Sequence, residues 1–181
     1  MAGVGPTDLF DLAAEYLAAC VESLDTVPTY APALGGAPVR TFVNYGVPVA
    51  DFATQAVTGS TGCDQLTVHV MPITERAGEQ AGFVSNVMLV ATIFRCCLPT
   101  VDDMGNAPTP QSQSAWAEQI LADKWSLWNH LHFLVREGEL FDKCCAVVWN
   151  GINSLNPSGG CGGSTVTVTV CFDGYEEILG T

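Results

Sequence analysis

Basic residues are what this chain has least of. Six Lys and Arg stand against nineteen Asp and Glu in 181 residues, a formal charge of −13. Phosphate neutralisation needs clustered cations, so this deficit excludes free-standing nucleic-acid binding. Long apolar runs are also missing. The longest, Val87 to Phe94, has the length of a strand, far from the roughly 18 residues of a membrane-spanning helix. The N-terminal MetAlaGlyValGlyProThrAspLeuPhe has neither a basic region nor an apolar stretch before a cleavage site, which predicts a chain kept in a cytosol and not secreted. Charged residues make up only 14% and apolar ones 48%. That balance is enough for a buried core, and it leaves a lightly charged exterior that fits either a surface partly covered by partners or a small soluble protein with a Ser/Thr/Gly surface.

Catalytic and metal-binding signatures are scarce as well. The eight cysteines are Cys20, Cys63, Cys96, Cys97, Cys144, Cys145, Cys161 and Cys171. With a length that can hide about 70% of the unfolded surface, no disulfide staple is needed, and reduced, buried thiols are expected. Cys96–Cys97 and Cys144–Cys145 are adjacent pairs; neighbours on a strand point to opposite faces and grip one ion poorly. His130 and His132 lie two apart on a helix and diverge, while His69 sits on a strand. The GlyGlyCysGlyGly run at 159–163 lacks the Lys and the following helix of a phosphate loop. Asp102 and Asp103 lack calcium-loop spacing, and Glu176–Glu177 read as a charged tail. No catalytic residue, no cofactor and no metal site is therefore predicted, and the chain is read as a non-enzyme.

What is present is a clear alternation of elements. Leu9, Leu12, Ala13, Tyr16, Leu17, Cys20, Val21 and Leu24 recur at helical spacing, predicting a helix from Thr7 to Leu24 with Thr7 as its N-cap. Val39 to Val43 reads as a short strand. Cys63 to Ile73 alternates, with Leu66, Val68 and Val70 on one face and Thr67, His69 and Met71 on the other. Val84 to Leu98 is apolar on both faces, as a central strand should be. Thr109 and Pro110 open a second helix that runs to about Arg136 and stops at Gly138. Its apolar stripe is Trp116, Ile120, Leu121, Leu127, Trp128, Leu131, Leu134 and Val135. Cys144 to Asn150 and Ser164 to Phe172 read as strands flanking a turn-rich loop at 156–163. The order α, β, β, β, α, β, β predicts one α+β domain over 1–181, with a helix at 7–24, a core at 39–172 and a tail at 173–181. Its sheet is largely antiparallel, of four to five strands, with two helices packed on one face.

GlyCysAspGlnLeu at 62–66, PheArgCysCysLeuPro at 94–99, AlaGluGlnIleLeuAlaAspLys at 117–124 and AsnProSerGlyGlyCysGlyGlySerThrValThrValThrVal at 156–170 form a series that resembles neck proteins of tailed, siphovirus-type bacteriophages of actinobacteria. Among these it is most similar to tail terminator subunits. The resemblance implies a structural virion protein, assembled in the host cytoplasm, forming a homo-oligomeric ring, expected to be a hexamer, that caps the head-proximal end of the tail tube. Its implied partners are further copies of itself, the major tail tube protein and the head–tail stopper or connector. Genomic DNA would pass through the lumen without specific binding, and no membrane is involved. A stopper or adaptor ring of the same neck is the alternative. By analogy, the loops 28–38, 75–82 and 99–110 become candidates for contacts between subunits or rings, with Pro32, Arg76, Glu79, Asp102, Asp103 and Met104 as the residues expected to make them.

Overall fold

The computed structural model describes residues 6–26, 36–38, 40–46, 64–71, 86–95, 105–144, 146–158 and 161–171. The order of elements is α1 (Pro6–Thr26), β1 (Arg40–Tyr45), β2 (Gln65–Val70), β3 (Asn86–Arg95), α2 (Pro110–Glu137), β4 (Ala146–Ser158) and β5 (Cys161–Cys171). Among the described residues, five strands form one sheet in the order β1-β2-β3-β5-β4. β1 runs parallel to β2, and every other pairing is antiparallel. The α+β architecture read from the sequence is the one observed.

Strand alternation divides the sheet into two unlike faces. Leu66, Val68 and Val70 of β2, Val87, Leu89, Ala91 and Ile93 of β3, and Val166, Val168 and Val170 of β5 face the helices. They close over Leu12, Ala13, Tyr16, Cys20 and Leu24 of α1 and Leu127, Leu131 and Leu134 of α2. Burial of each large apolar side chain here is worth about 1.5–3 kcal/mol, which holds both helices on the same face. α1 lies over β1, β2 and β3, whereas α2 lies over β5 and β4. The opposite face is polar at its centre yet also closed: Gln65, Thr67, His69 and Thr92 are all fully buried.

Local sequence explains the ends of α2. The Thr109 side chain accepts a hydrogen bond from the Ser112 amide, and Pro110 occupies the first turn. Gly138 closes the helix in the left-handed region at φ 74°, its amide donating to the carbonyls of Leu134 and Val135. A second left-handed residue, Phe141 at φ 62°, is bulky, and its surroundings hold it there. Its amide donates to Glu15 Oε1 at 3.0 Å, and its ring packs 5.6 Å from that of Tyr16. The turn after α2 is thereby tied to α1.

Several boundaries differ from the sequence reading. The first helix begins at Pro6, so Thr7 lies inside it and is not its cap. β1 extends to Tyr45 and ends where Gly46 takes φ 90°. The largest change is at 151–163. The stretch read as ending in a turn-rich loop is mostly strand: β4 continues to Ser158 and β5 starts at Cys161. Two register shifts, at Trp149/Gly151 and Leu155/Ser158, let β4 stay paired while accommodating residues that otherwise favour turns. Gly163 has its own reason to be glycine. A Cβ there would stand 1.9 Å from the Ile93 carbonyl oxygen, so β5 can approach β3 this closely only without a side chain.

Candidate assembly surfaces

Three side-chain groupings stand out. The first is a buried ionic knot at the end of β3. Arg95, only 1% exposed, donates through Nε and Nη2 to both oxygens of Asp123 on α2 at 2.8 and 2.9 Å. Nη1 donates to Asp64, just before β2, at 3.1 Å, and Nη2 also donates to the Gly36 carbonyl at 2.7 Å. Asp25 of α1 accepts from the Ala37 amide at 2.8 Å, so the 36–38 segment is held from two sides. Burial pushes the Asp123 carboxyl above its ordinary value although Arg95 pulls the other way. Such a pair fixes positions more than it adds net stability. Each of the three guanidinium nitrogens of Arg95 is engaged within the fold, which makes this knot a clamp between β3, α2 and the segment before β1.

The second grouping lies on α2 where it meets β4. The His132 ring stacks on Trp149 with centroids 4.1 Å apart, and Trp128 meets both His132 at 4.3 Å and Trp149 at 5.6 Å. Lys124, one turn earlier, donates to the Ser154 hydroxyl of β4. On the other flank of α2, His130 lies 3.7 Å from Glu22 of α1. The two histidines therefore diverge, as their spacing predicted. Leu121 and Trp125 continue the Trp128/His132 stripe at helical spacing and remain 64% and 50% exposed. Leu121, read from the sequence as part of the core stripe, is in fact outside it. It is displaced around the helix from Ile120, Leu127 and Leu131, which reach the core. The result is an apolar ridge on the β4 flank of the molecule.

The third grouping is on the opposite flank. A cleft of about 390 Å³ opens between α1 and β1, lined among the described residues by Leu9, Phe10, Val43, Asn44, Tyr45 and Val70. None of the six is Asp, Glu, His, Lys or Arg. Phe10 is 57% and Tyr45 70% exposed at its rim. Ridge and cleft thus occupy the two ends of the sheet, beside terminal strands β4 and β1. Solvent-exposed aromatic and aliphatic side chains grouped in this way mark contact surfaces more often than isolated ones do.

The sequence matches no protein-family model and no curated protein. The residues expected to make contacts by analogy, Pro32, Arg76, Glu79, Asp102, Asp103 and Met104, lie outside the described residues. The ridge and the cleft were not foreseen. A signal for the ridge did exist: Leu121, Trp125, Trp128 and His132 are separated by four, three and four residues, a second stripe beside the core one. For the cleft the sequence offered only Phe10, one position off the apolar face of α1.

Proposed function

We propose that this protein is a structural ring subunit of a tailed bacteriophage, a tail terminator that caps the head-proximal end of the tail tube and joins it to the head connector. The observation that carries the reading is the pair of unlike apolar surfaces on opposite flanks of one sheet. A ring needs a heterologous interface, in which one surface of each subunit complements a different surface of the next. A dimer about a two-fold axis would call for one self-complementary patch instead. The similarity of residues 62–170 to terminator subunits supplies the biological setting, and the acidic balance suits a lumen that DNA crosses without sticking.

Mass by light scattering, for the chain alone and mixed with the major tail tube protein, tests the reading. A closed ring of about six copies, formed alone or on the tube end, is the expected result. Cryo-microscopy of the virion should then place that ring against the last tube layer. Density on the portal side would identify a stopper or adaptor instead, and absence from purified virions would overturn the reading.

A further inference from the structure

We infer that the outer edge of β1 takes up an extended segment of a partner protein, apolar at alternate residues and flanked by basic ones, as an added strand of the sheet. The inference goes beyond the ring reading: in a ring, the added strand would be part of the flank that meets the next copy. Backbone direction leaves this edge open. Gly46 donates its amide to the Val70 carbonyl at 3.0 Å, so by alternation Phe42 and Asn44 also turn their backbone groups to β2. Those of Thr41, Val43 and Tyr45 then turn away from the sheet. The Tyr45 amide is taken by Asn44 Oδ1 at 2.8 Å. Thr41 and Val43 find no backbone partner on that side among the described residues. Terminal strands are normally blunted by bulges or proline. At the other end of the sheet β4 is interrupted by two register shifts, whereas β1 keeps an unbroken register and contains no proline.

Beside this edge stands an apolar wall. α1 runs antiparallel to β1: Leu9 and Phe10 at its start line the cleft with Tyr45, and Asp25 at its end holds the Ala37 amide. Glu15 and Glu22 reach towards α2 and the turn after it. Phe10, Leu17 and Val21 recur at helical spacing on the opposite flank, above the outer edge of β1. Phe10 is exposed, and Leu17 and Val21 are only partly buried. A strand added at the edge sets every second side chain against this wall, with one entering the cleft, which is how sheet edges recognise extended peptides. Charge selects the partner. β1 holds no acid, whereas α1 carries Asp8, Asp11, Glu15, Glu22 and Asp25 and no base. Asp8 and Asp25 are exposed near the two ends of the trough, where basic residues flanking the docked stretch complement them. A second copy of a chain at −13 has the wrong sign.

The probe is a synthetic peptide, Lys-Lys-Ile-Thr-Ile-Thr-Ile-Lys-Lys, labelled with fluorescein and titrated with the full chain at about 0.15 M salt. Fluorescence anisotropy should show saturable binding, at least about tenfold tighter than for the same peptide with Glu in place of every Lys. Thr41→Pro removes an amide that no bond between β1 and β2 uses. The melting temperature should therefore hold while the peptide binds at least about tenfold more weakly. Thr41→Val keeps the amide and should bind as the native chain does. Phe10→Asp should weaken binding by a similar factor without touching the strand. In the native chain, saturation with the peptide should slow hydrogen exchange at the Thr41 and Val43 amides, a readout that needs no variant. No binding, or equal binding by the native chain and Thr41→Pro, overturns the inference. Equal affinity for the Glu peptide overturns the charge assignment. Light scattering adds one more outcome: a native dimer that Thr41→Pro abolishes would give the edge to a second copy and overturn the assignment to a partner. Failure of peptide binding leaves the ring reading standing, because that is judged by the mass of the assembly.

Discussion

Replacing Arg95 with methionine should be among the most damaging single changes available in this fold. The side chain is 1% exposed, and its removal strands the Asp123 carboxylate at 0% exposure. It also removes the donor from the Gly36 carbonyl and one partner from Asp64. Removing one member of a buried ion pair costs about 3–5 kcal/mol, most of it the penalty of an uncompensated charge. In a domain of this size each kcal/mol lowers the melting temperature by about 2–4 °C, so a fall on the order of 6–20 °C is expected. The informative comparison is with Arg95→Met/Asp123→Leu, in which the charge and its counter-charge leave together. Most of the loss should then return, with about 1 kcal/mol remaining for the unmatched carbonyl. Urea unfolding of the three proteins, followed by circular dichroism, measures this. A single variant within 1 kcal/mol of the native chain would mean that water reaches the knot. A double variant as weak as the single one would mean that the cost lies in geometry and not in stranded charge.

Other outcomes follow from the same structure. Burial lowers the affinity of His69 and His132 for a proton, so the unfolded chain binds more protons than the folded one once the pH drops through the ordinary histidine value near 6.5. Stability should be full at neutral pH and decline as pH falls through 6.5 towards the lower folded values; His69→Gln should flatten that decline in melting curves between pH 7.5 and 5. Gly163→Ala should cost about 3 kcal/mol, the upper end for overpacking, because the added carbon meets the Ile93 backbone and cannot turn away; a change in urea midpoint equivalent to under 1 kcal/mol would contradict the close approach. Burial also pushes the Cys20 thiol well above its ordinary range, so thiol labelling of the native protein should modify Cys20 only as fast as the chain opens globally. Fast labelling there, resolved by mass spectrometry, would expose an accessible route to the core.

The parts of this fold legible in the sequence are those governed by one repeating signal. α1 and α2 announce themselves by apolar spacing, and α2 also by Thr109, Pro110 and Gly138 at its ends. β2 and β5 announce themselves by alternation of Val and Leu with Thr and His. Where a residue answers to two demands, the reading fails. The glycines at 159–163 favour turns taken alone, yet Gly162 and Gly163 are paired residues of β5, opposite Arg95 and Phe94. Arg95 ends an otherwise apolar strand and gives no sign that its partners are 28 and 31 residues away. Leu121 belongs by type to the core stripe and by angle to the ridge. Of the candidate surfaces, then, helix geometry made half visible and tertiary placement made the rest. The contact residues expected by analogy were drawn from loops, whereas the ridge and the cleft sit on regular elements.

The strand order has a consequence for biosynthesis. β5 follows β4 in the chain, yet it lies between β3 and β4 in the finished sheet. Until β5 is made, β3, ten residues long and strongly apolar, therefore has one side open, the kind of naked backbone row that recruits other chains. Only when the hairpin of β4 and β5 swings in as a unit is that side closed. A nascent chain stopped before Cys161 should accordingly be a sticky, chaperone-dependent species, and synthesis speed through β4 and β5 becomes a determinant of soluble yield.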